Sequence, residues 1–386
     1  MQHTNLTDLP DLIALRRTLH QHPELSGIEQ HTADLIVQQL KKYAPDEVYT
    51  AVGGTGVVAV FYGYQPEGPH VLFRAELDAL PIPETNTDLA HLSVYERIGH
   101  KCGHDGHMTI LMGLASLLQK HRLAKGKVIL AFQPAEETGA GAFNMLQDER
   151  LLSLRPDFVF ALHNLPGVPL HQVVVRNGAF AAASTGMVVE LFGKESHAAE
   201  PENGNNPGVA MSEIILAFHQ IISQKEHFRD LTLLTVIHAR LGEVAFGTNP
   251  GFGTVMCTLR SFHPNDLQKL KELAQQTVSE IAARHGLAYK ITYQEEFPAT
   301  VNHPKQVWQV QQAAAKLQLN LQEAVHPFRW SEDFGHFTAA YKGALFGLGS
   351  GIEQPQLHHS DYDFPDELIP TGATLFYAIA QEILNK

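Results

Sequence analysis

The sequence has few cysteines and no long hydrophobic run, and both absences limit what the protein can be. Cys102 and Cys257 are the only cysteines among 386 residues. If Cys102 binds a metal, no disulfide can form, which indicates a reducing cytoplasm. No stretch reaches the 18 consecutive apolar residues of a membrane-spanning helix. The N-terminus has neither a basic start nor an apolar segment, so we expect no signal peptide.

Positive charge is also scarce. The chain has 28 Lys and Arg against 41 Asp and Glu, for a net charge of −13. Because such a surface repels phosphates, we expect neither nucleic acid nor an anionic membrane as a partner. The hydrophobic fraction of 44% is ordinary for a globular protein. The length exceeds what one compact core usually supports, so we expect two domains.

Strands and helices alternate in the outer parts of the chain. Short apolar runs at 56–61, 70–75, 127–132 and 158–162 predict strands. Helical spacing predicts helices at 8–42, 109–120, 304–318 and 370–385, the first interrupted at His22-Pro23. This alternation predicts an α/β catalytic domain, residues 1–180 and 294–386, with a mixed, mostly parallel sheet flanked by helices.

The middle of the chain has a different pattern. Strands are predicted at 187–192, 231–239, 254–262 and 287–293, and helices at 207–223 and 264–285. The order strand, helix, two strands, helix, strand is the split βαβ pattern. We therefore predict a smaller inserted α+β domain of ferredoxin-like type at 181–293, acting as a lid or dimerisation domain. The strand at 187–192 is predicted to pair edge to edge with its copy.

Metal-binding residue types follow apolar runs in four separated segments. These segments contain Cys102 and His104, Glu136 and Glu137, His163, and His358 with His359. In an open α/β sheet, ligands collect at the carboxyl ends of the strands. Together these side chains would hold two divalent cations and leave a carboxylate free. This combination of groups is typical of a metal-assisted hydrolase.

The spacing within the segments suggests roles. Cys102 and His104 are alternate residues, and in an extended chain they would point the same way. Glu136 and Glu137 are neighbours and would project in opposite directions, so that one binds metal and the other acts as general base. Asp78 follows the strand at 70–75 and could orient a ligand histidine.

Each segment taken alone also has a purely structural interpretation. Cys102 could be a small buried residue beside a helix cap, and the paired glutamates could lie in a solvated loop. A single histidine is more often a hydrogen-bonded structural residue, and Asp78 could be a turn residue. The combination of ligand types at one sheet edge favours the metal site.

Eight ordered motifs carry a family resemblance that runs from about residue 12 to 383. They lie at 19–25, 74–82, 99–108, 132–137, 161–164, 196–201, 331–334 and 357–364. With them the chain resembles the aminoacylase-type amidohydrolases, which include hippurate hydrolase, N-acyl-amino-acid deacetylase, indole-acetyl-amino-acid hydrolase and related carboxypeptidases.

The resemblance implies a dinuclear site that holds zinc or manganese, with cobalt and nickel as further options. Cys102 resembles the bridging ligand. One metal would take His104 and His163, and the other Glu137 and His358. Glu136 resembles the general base, and Asp78 resembles the residue that supports a ligand histidine. His197 resembles the residue that polarises the scissile carbonyl, supplied across a dimer or after domain closure.

The chain departs from the family pattern mainly in the inserted domain. Glu76 replaces an aspartate, Glu202 a histidine, and Asn206 an aspartate. The usual Asn-Val-Ile-Pro reads Gly-Thr-Asn-Pro at 247–250, so Asn249 is predicted to substitute in substrate binding. Arg260 keeps the family position and is also predicted to bind substrate. These changes leave the predicted metal ligands intact. They alter residues that are predicted to bind substrate, so the motifs do not specify which substrate is cleaved.

The predicted activity is hydrolysis of the amide bond of an N-acyl amino acid or short peptide to the amino acid and a carboxylate. A dipeptidase or carboxypeptidase of the same architecture is an alternative, and a catalytically silent binding protein is another. A third is a hydrolase with Cys102 as nucleophile, which would leave the paired glutamates and the histidines unexplained. A homodimer through the inserted domain is predicted as well.

Overall fold

The computed structural model describes residues 6–86 and 88–385, which form two compact units. The large unit contains the described residues up to Phe180, Thr300–Pro327 and those from Glu332 onward. The small unit contains Ala181–Ala299 and Phe328–Ser331. Its last strand continues past residue 293, the predicted end of the inserted domain, to Phe297. The Phe328–Ser331 segment joins this unit through the backbone N–H of Ala182, which donates to the carbonyl oxygens of Phe328 and Trp330 at 3.1 and 3.0 Å.

Strands and helices are numbered here in chain order. The strands are β1 (Glu47–Val52), β2 (Gly56–Tyr62), β3 (Gln65–Glu76), β4 (Lys125–Gln133), β5 (Phe158–Pro166), β6 (Val173–Val175), β7 (Gly178–Ala181), β8 (Ala183–Phe192), β9 (Ser196–His197), β10 (Thr232–Leu241), β11 (Thr248–Asn249), β12 (Phe252–Ser261), β13 (Ala288–Phe297), β14 (Thr300–Asn302), β15 (Leu321–Glu323) and β16 (Lys342–Gly351). The helices are α1 (Leu9–Gln21), α2 (Gln30–Leu40), α3 (His104–Lys120), α4 (Gly141–Met145), α5 (Glu149–Leu154), α6 (Gly208–Ser223), α7 (Pro264–Arg284), α8 (Pro304–Lys316), α9 (Gly335–Ala340) and α10 (Leu368–Leu384).

The large unit is built on an eight-stranded mixed sheet in the order β1-β2-β4-β3-β5-β16-β6-β15. β3, β4, β5 and β16 lie at its centre and run parallel to one another. Such strands are buried on both faces, which explains the continuous apolar run of β4. The fold-class prediction is therefore confirmed for the larger part of the chain.

The register of the central strands brings three chain segments to one edge of this sheet. Arg74 in β3 lies opposite Ala131 in β4 and Ala161 in β5. Because the strands are parallel, their carboxyl ends meet at the same edge. The segments that carry Asp78, Glu136 and His163 therefore emerge side by side.

Helix α3 brings a fourth segment to this edge. Its side chains are buried from His104 to Leu118, and it packs against α1 and α10. Gly106 in its first turn lies against Phe364, since a Cβ there would sit 2.3 Å from the ring. This close approach ties the start of α3 to the segment that follows His358.

The small unit is a four-stranded antiparallel sheet in the order β10-β12-β8-β13, with α6 and α7 packed on it. The strand order and the two helices are those of the predicted ferredoxin-like domain. The prediction that the strand at 187–192 pairs edge to edge with its copy is wrong. That strand is β8, which bonds to β12 on one side and β13 on the other, so it has no free edge.

None of the helices in the described residues combines the length and apolar character needed to cross a membrane.

Candidate metal centre

Seven of the ten predicted site residues lie together at the carboxyl edge of the large unit's sheet. The ligand atoms of Cys102, His104 and His163 lie within 4.8 Å of one another, and the same holds for Cys102, Glu137 and His358. These are the two groups that the family resemblance predicts. Cys102 belongs to both groups, as a ligand that bridges two cations must. No further observation tests these ligands, so they stay predictions.

The backbone conformation that brings Cys102 and His104 to the cluster differs from the one predicted from the sequence. The segment is not extended, because Gly103 has φ 90° and α3 begins directly at His104. A left-handed turn of this kind favours glycine. The alternation argument was therefore wrong, although both side chains still approach His163.

Glu136 and Glu137 also differ from the expected geometry. Both lie in a turn after β4, where the preceding Ala135 has φ 49°. Their carboxylates do not project in opposite directions, because Glu136 Oε2 and Glu137 Oε1 lie 3.8 and 3.9 Å from the same atom, His104 Nε2. The turn places both carboxylates at one cluster and leaves Glu136 outside the two groups that share Cys102.

Asp78 holds both sides of the cluster in place. Its carbonyl oxygen accepts a hydrogen bond from His104 Nδ1 at 2.9 Å. Its Oδ2 accepts from Ser26 Oγ at 2.7 Å and from the backbone N–H of Glu137 at 3.0 Å. With Nδ1 bonded, His104 turns its Nε2 toward the cluster, and this atom has no hydrogen-bond partner among the described residues. Such contacts are typical of residues that orient metal ligands.

His163 and His358 complete the two groups. His163 lies within β5 rather than after it, donates from Nδ1 to the carbonyl oxygen of Asn164 at 3.0 Å, and has Nε2 3.5 Å from Cys102 Sγ. His358 has φ 65°, and its backbone N–H donates to the carbonyl oxygen of Lys101 at 2.8 Å. Its Nε2 lies 3.8 Å from Glu137 Oε1, and the side chain is half exposed. The cluster therefore reaches the surface at His358.

The electrostatics of the cluster fit a cation. Burial raises the pKa of Glu136 well above its usual value, and Glu332 and Glu137 raise it further. Burial raises the pKa of Glu137 to about 7, although His104 opposes the shift. Burial also raises the pKa of the Cys102 thiol. A bound divalent cation would offset this buried negative charge and let the ligands ionise. A thiol, imidazoles and a carboxylate suit zinc or another first-row metal.

Three predicted site residues belong to the small unit. His197 lies on β9, and its Nδ1 accepts from the backbone N–H of Ala199 at 3.0 Å. Asn249 on β11 donates to Ser196 Oγ at 3.0 Å and accepts from Asn206 Nδ2 at 2.7 Å. Arg260 on β12 donates to the carbonyl oxygen of Arg329 at 2.6 Å and to Ser331 Oγ at 2.7 Å. Both predicted substrate-binding side chains thus already have partners within their own unit.

The sequence argument missed a buried charged network beside Glu136. Arg74 bonds to the carboxylates of Glu76, Glu332 and Asp333, and all four side chains are buried. The sequence contained a signal for this network, since Arg74 directly follows the apolar run at 71–73 and the Glu-Asp pair lies in the motif at 331–334. Neither was interpreted as part of the site.

Comparison with known proteins assigns the chain to a family. The model of the Peptidase family M20/M25/M40 matches residues 72–382. The chain belongs to this family. As a member of the M20/M25/M40 family it is a metal-dependent amide hydrolase, and its resemblance to the amidohydrolases is confirmed.

Relatives within the M20/M25/M40 family cover almost the whole chain. N-acetyl-L-cysteine deacetylase of Bacillus subtilis is 33% identical over 383 residues, covering 99% of this chain and 90% of that protein. Hippurate hydrolase of Campylobacter jejuni is 32% identical over 374 residues, covering 96% of each. The Bacillus subtilis YXEP protein, described as a dinuclear metal-binding M20 peptidase, superposes with a TM-score of 0.83 at 27% identity, covering 98% of this chain and 99% of that one.

Proposed function

We propose that this protein hydrolyses the amide bond of N-acyl amino acids with the help of two divalent cations. The observation that carries the proposal is the pair of ligand groups that share Cys102, with the Glu136 carboxylate beside them. The names of the two relatives, a deacetylase and a hippurate hydrolase, support an N-acyl amino acid as substrate. The description of the YXEP protein supports two cations.

The side chains divide the work as follows. Cys102, His104, His163, Glu137 and His358 would hold two zinc or manganese ions, with cobalt and nickel as further options. Such cations acidify a water molecule and polarise a carbonyl when bound. Glu136 accepts the proton of the attacking water and passes it to the leaving nitrogen. Asp78 fixes the positions of His104 and the Glu137 backbone relative to each other.

His197 is proposed to stabilise the negative charge that develops on the substrate's carbonyl oxygen. Its Nδ1 accepts the N–H of Ala199, so the neutral ring carries its proton on Nε2. An exposed Nε2–H is a donor available to an oxyanion.

Replacing His197 by Ala is expected to lower kcat by about 100- to 1,000-fold, the usual effect of losing one oxyanion donor. Metal content should not change, because His197 is not among the proposed ligands. His227→Ala, which removes another exposed histidine of the small unit, is the control and should keep the parent rate. A parent-like rate for His197→Ala would remove His197 from the mechanism.

A substrate panel tests the proposed function itself. Metal-loaded protein is incubated with N-acetyl amino acids, N-benzoyl amino acids and unblocked dipeptides, and the released amine is measured. Preferential cleavage of the acylated compounds is expected. Faster cleavage of dipeptides would support the peptidase alternative, and no turnover by protein with two bound metals would support a binding protein.

We also propose a homodimer formed through the small unit. β10 is an edge strand of the described sheet, and Ile237 on it is 63% exposed. Leu216 on α6, Val244 and Phe246 are exposed as well, and exposed apolar side chains near an open edge strand favour association. Sedimentation should show a dimer for the parent protein and a monomer for Ile237→Lys. A monomeric parent would contradict the proposal.

We place the enzyme in the cytoplasm. Cys102 and Cys257 are buried free thiols, and a thiol that must ligate metal is best kept in a reducing compartment. Recovery of the protein with the extracellular or periplasmic fraction of its cells would refute this location.

A further inference from the structure

Arg74 occupies an unusual position at the end of β3. Its side chain is fully buried, and its guanidinium bonds to four other buried side chains. Nε donates to Gln133 Oε1 at 2.8 Å, and Nη1 donates to Glu76. Nη2 donates to Glu332 Oε1 at 2.7 Å and to Asp333 Oδ1 at 2.6 Å. One cation thus binds three carboxylates and an amide.

These bonds fasten the segment that contains Glu332 and Asp333 to the core of the large unit. Asp333 also accepts from Gln133 Nε2 at 2.9 and 2.7 Å and from the backbone N–H of Ala142 at 2.9 Å. Glu332 Oε1 accepts from the backbone N–H of Phe334 at 3.1 Å. The segment is therefore attached to β3, to β4 and to α4, and Arg74 is the one positive charge among these contacts.

The attached segment contacts the proposed general base. The backbone N–H of Asp333 donates to Glu136 Oε1 at 3.4 Å, while Glu136 Oε2 faces His104 Nε2 at 3.8 Å. One carboxylate oxygen is thus directed by the segment and the other by the cluster. The Asp333 amide thus links Glu136 to the segment that Arg74 contacts.

Stability alone is a poor explanation for the network. Removing an arginine and three carboxylates from water is expensive, and apolar packing of the same volume is often at least as stable. Buried polar networks with every member bonded do fix geometry. The occurrence of such a network beside Glu136 suits a role in fixing the orientation of this carboxylate.

We propose that Arg74 is a positioning residue that acts on Glu136 through the backbone amide of Asp333. The proposal rests on the proposed function, because it takes Glu136 as the general base. Glu332 and Asp333 serve as the two attachment points that Arg74 holds. Arg74 itself does not touch the proposed ligands.

The main variant is Arg74→Lys, which keeps the charge but cannot make four bonds in fixed directions. We expect kcat to fall about 100-fold, the effect of a misplacement of about 1 Å at a catalytic group. KM should change little, and the protein should still bind two metals per chain. Hydrogen–deuterium exchange should show faster exchange of the Asp333 amide, which needs no activity to measure.

A double-mutant cycle separates positioning from a general structural effect. If Arg74 acts through Glu136, then adding Arg74→Lys to Glu136→Gln should leave the residual rate unchanged. An equal loss in both backgrounds, or a loss of metal, would overturn the proposal for Arg74. If Glu136→Gln alone keeps the parent rate, it is the proposed function that fails.

Two further variants complete the test. Arg176→Lys is the control, because Arg176 donates only to the carbonyl oxygens of Ala179, Ala324 and Val325 among its described hydrogen bonds. It should keep the parent rate. If Arg74→Lys does not fold, Glu332→Gln replaces it, since the amide keeps the acceptor and removes one charge. We expect a smaller fall in kcat that also disappears in the Glu136→Gln background, and persistence there would overturn the proposal.

Discussion

Replacing Glu136 by Gln should lower kcat by about 100- to 10,000-fold, the contribution of a general acid–base group, while leaving two metals bound. Gln has the shape of Glu and can still accept the N–H of Asp333, but it cannot take a proton from water. Glu136 lies outside the two groups that share Cys102, so its loss should not empty them. Steady-state kinetics with metal analysis of the purified protein measure both effects.

The neighbouring residue provides the matched control for this experiment. Glu137→Gln removes a carboxylate from the group formed with Cys102 and His358, so it should lower metal content together with activity. Substitutions of these two adjacent glutamates are thus expected to differ in their effect on metal content. Loss of metal from Glu136→Gln, or a parent rate in that variant, would contradict the assigned roles.

Removing the metals, or the thiol that is proposed to bind both of them, should abolish activity. Treatment with a chelator is expected to reduce turnover below detection, and addition of zinc or manganese should restore it. Cys102→Ala should lose both metals, since the thiol belongs to both ligand groups. Loss of metal is measured as metal content per chain, and activity is measured as amine release.

The second cysteine is the control for Cys102. Cys257 is buried on β12 of the small unit, so Cys257→Ala should keep both metals and the parent rate. The same pair distinguishes a cysteine nucleophile from a metal site. If Cys102→Ala is inactive but retains two metals, and if chelation has no effect on the parent protein, Cys102 acts as a nucleophile and the metal account is wrong.

Periodicity in the sequence was enough to predict many regular elements. The continuous apolar run of β4 and the order of elements in the small unit lead directly to the observed architecture. β16 was missed because its sequence contains four glycines within Lys342–Gly351, and glycine is depleted in strands. The glycines serve close packing here, since a Cβ on Gly347 would sit 2.1 Å from Leu165. The central position of β8 also escaped prediction, because strand order depends on pairing between distant segments.

For the candidate site, the residue types were predictable and the local geometry was not. The family motifs led to the same two groups that the structure brings together, although their role as ligands stays a prediction. The turns at Gly103 and after Ala135 could not be inferred from alternation in an extended chain. Arg74 and the Glu332-Asp333 pair are visible in the sequence, but only the fold shows that these distant segments meet.

The most direct test of the central claim is anomalous diffraction from crystals of the metal-loaded protein. We expect two peaks, one among Cys102, His104 and His163 and one among Cys102, Glu137 and His358, with Glu136 bound to neither. Absence of metal from this cluster, or a single ion that does not contact Cys102, would contradict the account.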